Sequence, residues 1–101
     1  MTLASGLMLP MAEIAGLCRR YQVKELSVFG SAARGDMRPD SDIDLLVEFE
    51  PGARISLFRL DDLNEALEAL LGRRVDLVTK PALRSLTRPR ILAEAKLVYA
   101  A

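Results

Sequence analysis

The sequence predicts a single α/β domain whose mixed sheet of three or four strands is backed by helices on one side. Segments with apolar residues at helical spacing alternate along the chain with short runs of β-branched and aliphatic residues, which is typical of this class. A chain of 101 residues supports one hydrophobic core, and a hydrophobic content of 50% argues against disorder. No repeat or linker divides the sequence, so we expect one domain over residues 1–101.

A proline and apolar periodicity predict the first helix. Pro10 fits the first turn of a helix that reaches about Tyr21, and Cys18 lies on its apolar face, where we expect a core residue rather than a nucleophile. Residues 1–9 are apolar, but the run is short and has no basic segment before it. We therefore predict a loosely packed N-terminus, and neither a signal peptide nor a membrane span.

Two strands follow, separated by a polar connector. Residues 24–29 form the first strand, and residues 42–49 form the second. The second strand carries a nearly unbroken apolar run, which predicts a central position in the sheet. Gly35 and Pro39 mark turns in the connector.

A long helix is predicted over residues 57–71, with Ser56 as its N-cap and Gly72 at its end. Its apolar positions predict a buried stripe of Leu57, Leu60, Leu63, Ala66, Leu67, Leu70 and Leu71. The opposite face is acidic, and it is either solvated or docks a partner; it carries Asp61, Asp62, Glu65 and Glu68.

The C-terminal third continues the α/β pattern. A third strand is predicted over residues 75–79, and a short helix from Thr87 to about Ala95. Residues 96–99 form either a terminal strand or an extended docking tail. A basic stretch between the third strand and the last helix lines a nucleotide site, contacts a partner or is simply solvated; it comprises Lys80, Arg84, Arg88 and Arg90.

The candidate site lies where the first strand ends and the second begins. Gly30 lacks a Cβ, so backbone can approach a phosphate closely, and Ser31 offers a hydroxyl and a main-chain N–H. Asp42 and Asp44 alternate along the second strand, so their carboxylates face the same side about 6.5–7 Å apart. Carboxylates held this way favour a cation, and oxygen ligands suit Mg²⁺, which adds waters and phosphate oxygens. The pattern predicts phosphoryl or nucleotidyl transfer.

The arrangement Gly30-Ser31-x10-Asp42-x-Asp44 resembles the signature of the DNA polymerase beta-like nucleotidyltransferase superfamily. The small size and the third acidic strand, RRVDLVT, resemble its minimal nucleotidyltransferase (MNT) group. The resemblance extends over about residues 11–99 and implies an enzyme that uses two Mg²⁺ ions and ATP. It also implies that Gly30 and Ser31 hold the triphosphate, and that Asp42 and Asp44 are catalytic metal ligands.

Three further residues lie near these motifs. Asp76 interrupts the third strand, and a carboxylate there needs a cation or hydrogen bonds if it is buried. The resemblance makes Asp76 the third catalytic metal ligand and a candidate base for the attacking hydroxyl. Arg34 lies one turn after Ser31 and either reaches a phosphate oxygen or is solvated. Glu48 continues the alternation of Asp44, and we expect it to be solvated.

Composition excludes other kinds of site. With no histidine and one cysteine, the chain cannot form a typical zinc site or use Ser-His or Cys-His catalysis. The single cysteine also excludes an internal disulfide and suits a cytoplasmic protein. Fourteen basic and fourteen acidic residues balance, so we expect no direct binding of nucleic acid.

The acceptor is expected on another molecule, because so small a chain leaves little room for an acceptor domain. The resemblance implies a HEPN-domain toxin as the partner, with AMP transferred from ATP to one of its hydroxyls, expected to be a tyrosine. The chain is then an antitoxin. Two alternatives stay open: a binding module that neutralises its partner by occlusion, and a small-molecule nucleotidyltransferase resembling the aminoglycoside-modifying enzymes, which usually carry an additional domain.

Overall fold

Four strands form one mixed sheet in a computed structural model that describes residues 1–101. The strands are β1 (Val23–Phe29), β2 (Ile43–Phe49), β3 (Val75–Thr79) and β4 (Lys96–Ala100). The helices are α1 (Met11–Arg20), α2 (Gly30–Arg34), α3 (Leu57–Leu71) and α4 (Arg88–Glu94), and Lys80–Ala82 form one 3-10 turn. The longest helix has 15 residues, and none is long and apolar enough to cross a membrane.

The strand order is β3-β2-β1-β4. β2 runs parallel to β3 and antiparallel to β1, and β4 runs antiparallel to β1 on its other side. The predicted mixed sheet and the central position of β2 are therefore confirmed. Residues 96–100 form an edge strand of the sheet, so the alternative of an extended docking tail is wrong.

The core lies between the sheet and the two longer helices. α1 and α3 pack against each other, α1 also packs on β1 and β4, and α3 packs on β3. Alternate residues of β2 supply the centre of this core. The largest fully buried side chains are Ile14, Cys18, Val23, Leu26, Val28, Ile43, Leu45, Val47, Leu63 and Leu67. Cys18 is fully buried in the core, so the prediction of a core cysteine is confirmed, and this burial raises the pKa of its thiol to about 11.

Helix α3 has the predicted ends but not the whole predicted stripe. The Ser56 hydroxyl accepts a hydrogen bond from the Arg59 N–H at 3.1 Å, and Gly72 ends the helix at φ +67°. Leu57, placed in the stripe by its spacing, is 79% exposed, because contact with the core begins only at Leu60. Glu68 is not simply solvated, because its carboxylate accepts a hydrogen bond of 2.9 Å from the Val75 N–H, where β3 begins.

The N-terminal segment is more ordered than its composition indicates. Gly6 adopts φ +86° and reverses the chain, so that Thr2 bridges to Met8 in an antiparallel pair. Leu3 and Leu9 are each only 4% exposed and belong to the main core. The prediction of a loosely packed N-terminus is wrong, because this turn carries both leucines onto the core.

Candidate functional site

The glycine-serine turn joins β1 directly to α2. Phe29 is the last residue of β1, and Gly30 begins α2 with φ +70°, a backbone conformation that favours glycine. A Cβ placed on Gly30 would collide with the Asp44 carboxylate. Glycine is therefore required at this position for two reasons: the backbone has a positive φ, and the Asp44 carboxylate occupies the space of a Cβ.

The predicted carboxylates lie together at one end of the sheet. Asp44 on β2 is paired with Phe29 on β1 and with Asp76 on the parallel strand β3. Paired residues on neighbouring strands project from the same face, with their backbones about 4.8 Å apart. Asp42 lies just before β2, and its Oδ1 is 3.3 Å from the Nε of Arg74. The structure thus brings Asp44 and Asp76 side by side and places Asp42 at their edge.

The carboxyl of Asp44 has the most perturbed acidity in this group. Its pKa is raised from 3.8 to about 6, chiefly by burial and then by the charges of Asp76 and Asp42. Each of these causes opposes a negative charge on Asp44, and a bound cation would offset all of them. The negative charge concentrated at this end of the sheet fits a cation site.

The arrangement of the three aspartates suits Mg²⁺, which usually takes only some of its ligands from the protein. No three acidic side chains converge closely enough to hold an ion by themselves. Mg²⁺ is usually bound by one or two carboxylates, with waters and substrate phosphates as its remaining ligands. An open row of Asp42, Asp44 and Asp76 beside the glycine-serine turn suits that mode of binding, and these three residues would hold the ions.

Replacing Asp44 by asparagine should stabilise the metal-free chain near neutral pH. The Asp44 pKa is about 6 in the folded chain against an ordinary 3.8, so the folded state binds the proton more tightly. Wild-type stability therefore falls as the pH rises from about 4 to above 6, and the Asp44→Asn chain lacks this loss. The expected gain above that window is about 1 kcal/mol, because solvent contact reduces the effect. Urea unfolding in EDTA at about pH 4 and about pH 8 measures it; a wild type as stable as the variant at the higher pH would contradict the electrostatic account.

Arg34 lies beside the turn but is already paired with two carboxylates. Its Nε is 3.3 Å from Oδ2 of Asp36, and its Nη1 is 3.3 Å from Oε1 of Glu94. Glu94 also accepts a hydrogen bond of 3.0 Å from the Gly30 N–H. The sequence gives no signal for this role of Glu94, because 60 residues separate it from Arg34 and no motif links the two.

A second arginine fixes the connector that leads into Asp42. The Nη2 of Arg73 donates to the carbonyl oxygens of Arg38, Pro39 and Ser41, at 3.1, 3.1 and 2.9 Å. These bonds hold the end of the connector against the start of β3. A polar cleft of about 330 Å³ beside them is lined by Pro39, Asp40, Ser41, Asp42, Gly72, Arg73 and Arg74. Arg73 lies two residues before β3, and no pattern in the sequence indicates its bonds to the connector.

Two members of the predicted basic stretch are engaged elsewhere. Lys80 follows the far end of β3, about 13 Å along the strand from Asp76. Its ammonium lies 3.0 Å from Glu48 and 3.3 Å from Glu25, and the hydrogen bond from Lys80 lowers the pKa of Glu48. Arg88 donates to the Lys80 carbonyl at 2.9 Å. Lys80 therefore does not line the carboxylate site, and Glu48 is ion-paired rather than simply solvated.

The sequence itself connects this site with known enzymes. Residues 13–99 match the family model of the nucleotidyltransferase domain. The chain belongs to this family. It is an enzyme of the nucleotidyltransferase type, and the resemblance carried by the glycine-serine turn and the alternating aspartates is confirmed.

Individual relatives agree with the family and with the fold. The protein adenylyltransferase MntA of Thermococcus cleftensis is 49% identical over 78 residues, which are 77% of each chain. A solved structure described as a minimal nucleotidyltransferase is 44% identical with a TM-score of 0.72, and the match covers 85% of this chain and 86% of that one. A chain from a tri-AMPylated Shewanella oneidensis HEPN toxin in complex with an MNT antitoxin has a TM-score of 0.66, with 90% and 70% covered. At 20% identity this last likeness shows the fold alone.

Proposed function

We propose that this chain is a Mg²⁺-dependent adenylyltransferase that moves AMP from ATP to a hydroxyl, expected to be a tyrosine, on a HEPN ribonuclease toxin. The observation that carries the proposal is the alignment of Asp44 and Asp76 on parallel strands, directly beside the turn at Gly30. The relative that is 49% identical bears the name protein adenylyltransferase, which supports AMP as the group transferred. The chain is then the antitoxin of its partner.

The residues of the site divide into two groups in this proposal. Gly30 lets the backbone approach the triphosphate closely, while Ser31 and Arg34 hold it through a hydroxyl, the main-chain N–H of Ser31 and a guanidinium. Asp42, Asp44 and Asp76 hold two Mg²⁺ ions, which when bound neutralise charge on the phosphates.

The chain positions the α-phosphorus for attack by the acceptor hydroxyl. A new bond forms between the hydroxyl oxygen and phosphorus, and the bond to the pyrophosphate oxygen breaks. Asp76, as the base, takes the hydroxyl proton, and pyrophosphate leaves. Positioning and neutralisation of charge supply most of the rate enhancement.

Transfer of AMP would silence a ribonuclease more durably than binding alone. An adenylyl group adds a negative charge and bulk, which repel and obstruct the phosphates of RNA. The modification persists after the two proteins separate, whereas occlusion ends at dissociation. We place this reaction in the cytoplasm, where the unpaired Cys18 stays reduced.

Isotopic labelling of ATP tests the reaction type. The partner should become labelled when ATP carries ³²P in the α-position and should stay unlabelled when the γ-phosphate carries it. EDTA should abolish the labelling. Label from the γ-phosphate would mean phosphoryl transfer and would overturn the proposal, as would the absence of both labels at full inhibition of the partner.

Substitutions at Ser31 and Asp76 should separate nucleotide binding from transfer. Ser31→Ala removes one hydrogen bond to a charged group, so the affinity for Mg-ATP should fall by about 1–2 kcal/mol. Asp76→Asn should leave that affinity nearly unchanged and slow the transfer step. Calorimetric titration and single-turnover rates measure the two effects. An equal loss of affinity in both variants would contradict this division of roles.

A further inference from the structure

The carboxylate of Glu94 joins the two ends of α2. Glu94 is the last residue of α4, and its side chain is 17% exposed. Its Oε1 accepts the Gly30 N–H at 3.0 Å and lies 3.3 Å from Nη1 of Arg34, and its Oε2 lies 3.4 Å from the same nitrogen. One side chain from the C-terminal region therefore holds both the first and the last residue of this short helix.

We propose that Glu94 is a positioning residue that sets the glycine-serine turn and the Arg34 guanidinium for the triphosphate of the nucleotide. The inference deepens the proposed function, since it rests on nucleotide binding at this site. Asp36 holds the Nε of Arg34 and Glu94 holds its Nη1, while no other group of the chain accepts a hydrogen bond from Nη2. Two carboxylates thus orient the guanidinium and leave one nitrogen with both donors free for a phosphate oxygen.

The bond to Gly30 acts on the backbone of the turn itself. The peptide between Phe29 and Gly30 links β1 to α2, and Gly30 has the conformational freedom of a residue without a side chain. Holding its N–H fixes the orientation of this peptide and, through it, the entry to Ser31. A preorganised cradle loses less conformational freedom when the ligand binds.

The sheet in turn holds Glu94. Only Ala95 separates it from β4, whose first residue, Lys96, pairs with Val28 near the end of β1. The same strand β1 therefore leads to Gly30 and anchors the segment that carries Glu94. This arrangement gives the carboxylate a rigid base and distinguishes it from Asp36, which is exposed in the connector.

Glu94 could instead compete with the nucleotide: its carboxylate would then occupy the position of a phosphate and would have to move away when the nucleotide binds. The two roles predict opposite signs for removal of Glu94. Loss of a positioning residue weakens nucleotide binding, whereas loss of a competitor strengthens it. The low exposure of Glu94 and the free Nη2 of Arg34 favour positioning.

The test is calorimetric titration of the full chain with a non-hydrolysable ATP analogue and Mg²⁺, for wild type, Glu94→Gln and Glu94→Ala. Glutamine keeps an acceptor for the Gly30 N–H but loses the charge. We expect the Kd to rise about threefold for Glu94→Gln and about tenfold for Glu94→Ala, the factor of one hydrogen bond. Glu48→Gln is the matched control, because it breaks a bond to Lys80 at the other end of the sheet and should leave the Kd unchanged.

A Kd that is unchanged or lower in both Glu94 variants would overturn the inference. Thermal unfolding without nucleotide checks that each variant is folded, and if Glu94→Ala does not fold, the Kd of Glu94→Gln decides alone. A wild type that binds no Mg-nucleotide would instead contradict the proposed function, so the two failures are distinguishable. The kinetic signature is a rise in KM for ATP that exceeds the fall in kcat, since Glu94 acts through the residues that bind the triphosphate.

Discussion

The double substitution Asp42→Asn with Asp44→Asn should reduce AMP transfer by about a thousandfold or more while the chain stays folded. The two asparagines remove two charges from the open row of acids and leave Asp76 as its only carboxylate. The fold should survive, because burial and neighbouring charges already oppose the ionised form of Asp44. Rates of labelling with α-labelled ATP measure the loss of transfer.

Thermal unfolding with and without Mg-ATP tests the same double variant for binding. Wild type should gain stability from Mg-ATP but not from ATP in EDTA, and the variant should gain almost none in either case. Asp61→Asn with Asp62→Asn removes the same charge from exposed positions on α3 and should behave like wild type. Full ligand stabilisation of the Asp42/Asp44 variant would show that the metal site lies elsewhere.

Gly30→Ala should damage both the fold and the site. Alanine at φ +70° costs about 1–2 kcal/mol, and its Cβ would collide with the Asp44 carboxylate, so Asp44 or the turn must move. We expect a loss of about 2–3 kcal/mol in the free energy of unfolding and a loss of about a hundredfold or more in transfer. Urea unfolding and labelling rates measure the two effects.

Gly72→Ala is the matched control for this substitution. Gly72 has φ +67°, close to that of Gly30, but a Cβ there meets nothing within 4 Å. This variant therefore includes the backbone strain without the collision, and it should lose stability while keeping its activity. Equal activity in the two variants would mean that contact between Gly30 and Asp44 does not matter for the site.

The sequence predicts those parts of the molecule that depend on local chemistry. The cap at Ser56, the helix end at Gly72 and the central strand β2 follow from short patterns of residues, and the structure has all three. The alternation of Asp42 and Asp44 likewise needs only the geometry of one strand. The family resemblance adds Asp76, which a single strand pattern does not link to the other two.

The remaining features depend on contacts between distant parts of the chain. Glu94 reaches Gly30 only because β4 pairs with β1, and nothing near Glu94 in the sequence indicates that pairing. The exposure of Leu57 depends on where the neighbouring elements end, which helical spacing does not describe. The burial of Leu3 and Leu9 depends on a turn at Gly6 within a segment whose composition indicates little order.

The most direct test of the proposed function is the intact mass of the HEPN partner after incubation with this chain and Mg-ATP, followed by its ribonuclease activity after separation. We expect the mass to increase by one or more AMP groups, located on a tyrosine by fragmentation, and the separated partner to remain inactive. The Asp42→Asn/Asp44→Asn chain should add no mass and leave the separated partner active. A partner that gains no adenylyl mass, yet is fully inhibited by the same variant while the two proteins are mixed, would contradict transfer and establish inhibition by binding alone.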